Sequence, residues 1–399
     1  MSAILDVIVK AYHLIQFFLF KLWVIIEIFK FGYLNVYLSE EYKIILMMNP
    51  LSIFIYGALK AYEVLSRISH DMKWQIKIKN LLKSGRCPKL SKEQVADIKK
   101  FYSEKKVQGI KTYWHRFYFG CNGIYSAEYI PENLFYIYME PKLNNRETAS
   151  VLMDKNMLEK LIPGFKQPKT VIKNINGFFF NNKGEIITRN TVLEILKRYA
   201  AVVIKPSLDT GGGKNVSILT NKDMGKDNLN QLLDVYGKNF IVQQKLKQHE
   251  LMANLNFSSL NTFRVMTYLR NSEVVILSAI VRMGRNGAVT DNSTTGGVSC
   301  GVKPDGTLNA IGYQLSGDKF FATSTGTKFD QIHLPFFEEI RSSVEQFHRE
   351  MPYFKIISWD LAIDKKGDVV LIEVNLKGQD ITFHQLNNGP VLKLLLDEL

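Results

Sequence analysis

The sequence predicts an α+β protein preceded by a helical N-terminal region. Three observations lead there. From residue 200 onward short β-type runs predominate, with helical patterns between them. Residues 11–29 and 40–85 read as helix, in a part of the chain that is apolar and basic. No internal repeat or low-complexity linker breaks the order.

At 399 residues the chain has room for two or three domains with a sizeable core. The formal charge is +13, and it is unevenly placed. Residues 1–116 carry 19 Lys/Arg against 9 Asp/Glu, a net of +10, so the remaining 283 residues carry only +3. A basic N-terminal part suits an anionic neighbour, such as a membrane surface or a polyanionic substrate. No zinc finger or RNA-binding signature is present, and no nucleic-acid partner is expected. Cys87, Cys121 and Cys300 form no CxxC pair, which argues against a disulfide framework or a zinc site and for a reducing compartment.

In chain order, AYHLIQFFLFKLWVIIEIF (11–29) comes first. Lys21 sits near its centre, and a charge at bilayer mid-depth costs about 2.5–3.5 kcal/mol. A packing helix, a membrane-surface helix and a span are the readings open to it. No cleavage site for a secretory signal is clear. Residues 91–106 predict a capped, exposed helix, with Ser91 as cap and Glu93 and Gln94 in its first turn. Residues 111–150 are aromatic-rich and mixed. MDKNMLEKLIPGFKQPKT (153–170) reads as a helix, a stop at Gly164 and a Pro-led extended segment. Strands are expected at 201–206, 215–219, 239–243, 262–270 and 273–283, a helix at 335–350, and a closing hairpin at 356–375.

Three stretches carry chemistry. In AVVIKPSLDTGGGKNVSIL (201–219), a strand delivers Lys205 into a loop with Gly211, Gly212 and Gly213. Glycines let backbone N–H groups approach a phosphate; Lys205 and Lys214 supply charge, Ser207 and Thr210 hydroxyls. The spacing is not that of a Walker A loop, and no kinase catalytic loop follows.

In SWDLAIDKKGDVVLIEVNLKG (358–378), Asp360, Glu373 and Asn375 interrupt apolar strands. Glu373 and Asn375 share a face. A turn centred on Lys366–Gly367 places residue 360 opposite 373, and opposed residues have Cα atoms about 4.5–5.5 Å apart. The three oxygen ligands then converge, as Mg²⁺ requires when phosphates and waters complete its shell. A single such carboxylate would read instead as a strand-end salt bridge.

Between these, NFIVQQKLKQHE (239–250) is a strand running into a hinge that can present backbone to an adenine edge, with Gln243, Gln244 or Glu250 in reach of base or ribose. NTFR and RMGRNGAVTDNSTTGG bring Arg264, Arg282, Arg285, Asp291 and Asn292. Strand arginines suit bidentate contact with phosphate or carboxylate, although each alone reads as a solvated surface residue. His249, His333, His348 and His384 lack metal spacing and read as structural or exposed.

Taken in order, MDK, VVIKPS with its glycine loop, QQKL, the Arg-bearing strand and D…LIEVN resemble the ATP-grasp superfamily. Within it, SLNTFRVMTYLR, the RMGRNGAVTDN…GG block and WDLAID…GDVVLIEVN look most like the sugar-transfer-associated group. The resemblance covers about residues 110–395. It implies an ATP-grasp fold, two α+β subdomains clasping ATP, with a lysine and glycine-loop subdomain at 151–246 and a metal and acceptor subdomain at 247–395. Residues 1–110 form the helical N-terminal region, and 111–395 the ATP-grasp region. It further implies that Lys155 and Lys205 bind ATP, that the 211–213 loop closes over the triphosphate, and that backbone at Lys245 and Leu246 reads adenine. Asp360, Glu373 and Asn375 would hold Mg²⁺, and Arg264 and Arg282 would stabilise the transferring phosphoryl group. Many relatives carry Pro-Gly soon after the EVN motif, where this chain has Lys377-Gly378.

The implied activity is an ATP- and Mg²⁺-dependent ligase joining a carboxylate to an amine through an acyl-phosphate. The expected substrates are ATP, a sugar acid and an amino acid or amine, in bacterial surface polysaccharide synthesis. The expected location is cytoplasmic, with residues 11–29 offering a peripheral contact to the membrane. Direct phosphoryl transfer to a hydroxyl, or a nucleotide-binding scaffold without turnover, are the competing readings.

Overall fold

The computed structural model describes residues 50–83, 85, 87–208, 215–223, 225–291 and 296–399. The apolar stretch 11–29, Thr210, the glycines 211–213, Lys214 and Asn292 lie outside the described residues. The chain divides into two compact units, Met1–Lys73 and Trp74–Leu399. In the first, α1 (Pro50–Leu82) begins, and Val64, Leu65 and Ile68 stand exposed on it. Among the described residues, no helix is long and apolar enough to cross a membrane.

In the second unit, α2 (Lys92–Glu104) starts as the sequence indicates. Ser91 Oγ accepts the Gln94 N–H at 3.2 Å, and Gln94 Oε1 accepts the Ser91 N–H at 2.9 Å. This reciprocal capping satisfies two of the donors that open a helix. The aromatic-rich stretch folds into α3 (Tyr113–Asn122), closed by Gly123 at φ 78°, and a helical run over 132–143.

The helix expected from 153 is a correction. The main helix lies earlier, at α4 (Arg146–Leu152), where Asn145 caps the N–H groups of Glu147 and Thr148. Only α5 (Leu158–Leu161) is helical afterwards. Asp154 Oδ1 takes the Asn156 N–H at 2.9 Å, and the Lys155 N–H goes to the Ser207 carbonyl at 3.0 Å. A local side-chain bond and a long-range one thus compete with the helix and win.

Two antiparallel sheets follow. The first has six strands: β1 (Thr170–Ile175), β2 (Phe178–Asn181), β3 (Ile186–Ile187), β4 (Ala201–Pro206), β5 (Ser217–Thr220) and β6 (Phe240–Gln244). Their order is β3-β2-β1-β6-β4-β5. α6 (Arg189–Leu196) and α7 (Lys226–Tyr236) bury Val192, Leu196, Leu229 and Leu233 against Val202, Ile204 and Phe240. Strand alternation then turns Lys205 to the face away from these helices.

The second sheet has seven: β7 (Thr262–Arg270), β8 (Glu273–Met283), β9 (Val298–Val302), β10 (Leu308–Tyr313), β11 (Lys319–Phe320), β12 (Ile356–Ile363) and β13 (Val369–Asn375). Their order is β11-β10-β9-β8-β7-β12-β13, and a short helix, α8 (Glu250–Ala253), precedes it. β7 and β8 have the bounds the sequence indicates. α9 (Phe337–Arg349) lays Ile340, Val344 and Phe347 over Phe263, Val265, Trp359 and Leu361. Each such side chain contributes about 1.5–3 kcal/mol by burial. The other face is covered at one end by Tyr102, Phe135 and Ile381, against Met266, Tyr268 and Ile356.

α10 (Ile381–Asn388) is held between this sheet and α3. Asn122 Nδ2 donates to the carbonyls of Gln385 (3.1 Å) and Leu386 (3.3 Å), Tyr118 and Thr382 share a bond of 3.2 Å, and Glu132 accepts from the Thr382 hydroxyl. Two cysteines far apart in sequence also meet here: the Sγ atoms of Cys87 and Cys121 are 3.8 Å apart, both residues buried.

Candidate active site

The site grows from the alternation of β12. Ile357, Trp359, Leu361 and Ile363 point into the core under α9, so Ser358 and Asp360 face the other way. Asp360 stands directly between Arg264 on β7 and Glu373 on β13. The pairing of 360 with 373 is the expected one, but the turn alone does not produce it. Ile363 pairs with Val369, which centres the turn on Lys366, half a residue short. A bulge between the Asp360–Glu373 and Leu361–Leu371 pairs supplies the missing step, with Ile372 as the extra residue. It keeps Leu371, Val374 and Leu376 in the core while bringing Glu373 and Asn375 to the Asp360 face.

On that face Arg264 grips Asp360 with both prongs, Nε to Oδ1 at 2.7 Å and Nη2 to Oδ2 at 2.8 Å. Its Nη1 reaches Asp380. Arg282 Nη2 lies 3.1 Å from Asp360 Oδ2 and 3.4 Å from Asp291 Oδ2, and donates to Thr262 Oγ1 at 2.9 Å. The Thr262 hydroxyl in turn donates to Asp291. Asn375 Nδ2 points at Asp360 Oδ2 and the Ser358 carbonyl, both at 3.4 Å. Burial alone would raise the Asp360 pKa, but the charges of Arg264 and Arg282 outweigh it and hold the carboxyl at about 2. Burial pushes Asp291 up, against the pull of Arg282.

The lysines arrive from the other sheet and the turn before it. Lys155, nearly buried, places Nζ 3.1 Å from Glu373 Oε1. Lys205 has no hydrogen bond or ion pair among the described residues. Burial, with the nearby charge of Lys155, pulls its pKa down to about 8, although Glu373 and Asp360 pull the other way. Next to it, the Ser207 Oγ is buried without a partner. A buried hydroxyl left unbonded costs stability unless a ligand completes it.

The hinge is partly occupied. Gln243 Nε2 donates to the Pro168 carbonyl at 3.3 Å, the Gln244 N–H to Lys169 and the Lys245 N–H to Ala201. Leu246 makes no backbone bond among the described residues. Arg285 sits apart from the Asp360 network: Nη1 donates to the Ala322 carbonyl at 3.1 Å, and its guanidinium lies 4.4 Å from the Phe320 ring centroid.

Several site-facing residues had escaped notice in the sequence. Asp380 follows Gly378, where relatives carry Pro-Gly, and both take positive φ, 56° and 71°. The turn is held by Glu140, whose Oε1 accepts the Gly378 N–H at 2.6 Å. Burial lifts Glu140 to about 7 despite that bond. Thr262, as a strand threonine, gave no signal. His384, read from the sequence as structural or exposed, is structural: it is buried, with Nδ1 2.8 Å from Ser278 Oγ and its pKa lowered to about 3 by burial.

The donor set fits a hard divalent cation. Glu373 Oε2 and Asn375 Oδ1 accept no hydrogen bond among the described residues, while Asp360, with Oδ2 taken by Arg264 and Arg282, keeps one further acceptor position on Oδ1. No group of three or more His, Cys, Asp or Glu gathers among the described residues to form a closed metal cage. Two carboxylates and an amide oxygen are few ligands, which suits Mg²⁺ shared with phosphates better than an all-protein site.

A search of curated proteins finds no match. Among solved structures, the chain is similar to the ATP-grasp ligase PsnB in complex with its minimal precursor, at 12% identity and TM-score 0.38, covering 64% of each chain. PsnB has also been solved with Mg and ADP. D-alanyl-alanine synthetase A from Vibrio cholerae matches at 13% identity and TM-score 0.37, over 63% of this chain and 66% of its own. L-amino acid ligase from Bacillus licheniformis matches at 14% and 0.35, over 61% and 47%. The chain thus spans just under two thirds of the length of the first two and about half of the third. The family model for sugar-transfer-associated ATP-grasp proteins matches residues 135–399, well over half of the sequence. The chain belongs to the sugar-transfer-associated ATP-grasp family.

Proposed function

We propose that the protein is an ATP- and Mg²⁺-dependent carboxylate–amine ligase. It joins an amino acid or amine to a sugar acid during bacterial surface polysaccharide synthesis, on the cytoplasmic side of the membrane. The observation that carries the reading is the meeting of Asp360, Glu373 and Asn375 on one face with Lys155 at Glu373.

Lys205 and the Ser207 hydroxyl bind phosphate oxygens, and Lys155 exchanges Glu373 for the triphosphate. Asp360, Glu373 and Asn375 would hold Mg²⁺, which would neutralise charge on the phosphates. Arg264, fixed by Asp360 and Asp380, and Arg282 face the charge that spreads over the transferring phosphoryl group. A substrate carboxylate oxygen bonds to the γ-phosphorus, the bond to the bridging oxygen breaks, and ADP leaves. Amine attack on the acyl-phosphate then expels phosphate. Exclusion of water from the site protects this intermediate from hydrolysis.

The test is ATP turnover with Mg²⁺ across pooled uronic acids and amino acids, with hydroxylamine as trap, beside Glu373→Ala. Hydroxamate with ADP, lost in the variant, is the expected outcome. ADP with a phosphorylated sugar and no hydroxamate would transfer the protein to the kinase reading.

A further inference from the structure

A small cleft, open to solvent, lies beside the Asp360 network, lined by Arg282, Asp291, Gly297, Val298, Ser299, Asp380 and Phe383. It is small for a drug-sized ligand and suits a few heavy atoms. Its charges are unbalanced. Arg264 and Arg282 face three carboxylates, Asp291, Asp360 and Asp380. The charge of Arg282, its one cationic wall, is already met by Asp360 and Asp291. A substrate carboxylate would therefore find little unpaired positive charge there, and a cation would be attracted.

Asp380 is the open group. Its Oδ2 is taken by Arg264, while Oδ1 accepts no hydrogen bond among the described residues. The side chain is 52% exposed. An aspartate just before a helix ordinarily caps it, a bond that stabilises by about 1 kcal/mol. Asp380 precedes α10 yet makes no capping bond, and its backbone is left-handed (φ 56°, ψ 45°). The loop is fixed instead by Gly378 N–H on Glu140 and Ile381 N–H on Tyr136 Oη at 3.3 Å. The carboxylate is thus withheld from its local task and turned toward Arg264 and the cleft. Val298 and Phe383 supply apolar wall for a carbon chain.

We propose that this cleft seats the amine substrate, with Asp380 receiving its primary ammonium group. This rests on the ligase reading and assigns the amine a place within it. Arg264 bridges Asp380 to Asp360, so the nitrogen waits beside the phosphoryl-transfer residues. In the second step the ammonium first loses a proton to solvent; the freed lone pair then attacks the acyl carbon, and the C–O bond to phosphate breaks with its electrons. Of the two protons the ammonium sheds, one ends on the departing hydrogenphosphate and one in solvent.

The test uses three probes of similar size on the full chain: 2-aminoethanol, ethylene glycol and glycolate, with binding followed by ligand-observed NMR titration. An ammonium ion at a half-exposed carboxylate should bind about tenfold more tightly than the neutral probe. In Asp380→Asn, whose side chain tolerates the left-handed backbone, that preference should vanish, and Asp380→Glu should restore part of it. Glycol or glycolate binding as tightly as the amine, no probe binding, or a preference kept in Asp380→Asn would each overturn the proposal. If the variants do not fold, the order of the three probes on wild type decides alone. Failure of the ligase reading shows separately, as ATP turnover without hydroxamate.

Discussion

The two sheets hold their functional side chains in opposite electrostatic conditions. On the seven-stranded sheet, Arg264, Arg282, Asp360, Asp291 and Thr262 bond one another within a few ångströms, and Asp360 is forced to stay ionised. On the six-stranded sheet, Lys205 has no partner among the described residues and Ser207 Oγ is buried unbonded. One side of the site is complete in itself; the other waits for something anionic. The scaffold of charge is therefore built into the strands, and the cost of incompleteness is concentrated where phosphates are expected.

Asp360→Ala should break the complete side most severely. It removes the carboxylate that two buried guanidinium groups share, leaving Arg264 only Asp380 and Arg282 only Asp291, and loss of one partner of a buried pair costs about 3–5 kcal/mol. Urea unfolding followed by far-UV circular dichroism would read this. Lys205→Met sharpens the contrast by having the opposite sign: removing an unpaired half-buried cation should leave the denaturation midpoint unchanged or raise it.

pH separates the same two sides. The Lys205 pKa lies below its unfolded value, so the folded state binds fewer protons between about 8 and 10.5, and its contribution makes stability rise with pH across that window. The Asp360 pKa is depressed to about 2 from 3.8, so its contribution is present above 3.8 and is lost as pH falls from there toward 2. Melting curves of wild type and Lys205→Met, taken from pH 7 to 10.5, should converge at the alkaline end. The smallest effect is expected from Ser207→Ala. Losing an unbonded hydroxyl should not destabilise the free protein, whereas nucleotide affinity should fall by about 0.5–1.5 kcal/mol, one hydrogen bond's worth.

The sequence made the closing hairpin legible because apolar residues broken by Asp360, Glu373 and Asn375 admit few other readings. It made β7 and β8 legible through their β-branched runs. It did not reveal the bulge at Ile372, since a single extra residue leaves no compositional mark; the right pairing of 360 with 373 came with a turn centre half a residue off. Lys155 was recognisable only by resemblance, because its turn depends on a bond to Ser207, 52 positions away. Asp380 carried no signal in the sequence, and its place in the site shows only in its contact with Arg264. The meeting of Cys87 with Cys121 is likewise a product of packing, invisible to spacing.

The most direct measurement is a calorimetric titration of the wild-type protein with ATP, with and without Mg²⁺, beside Lys205→Met. Binding that strengthens with Mg²⁺ and weakens by about 1.5–3 kcal/mol in the variant, as for one charge-assisted hydrogen bond, is the expected result. Equal affinity in wild type and Lys205→Met, or indifference to Mg²⁺, would contradict the assignment of the open side to the triphosphate.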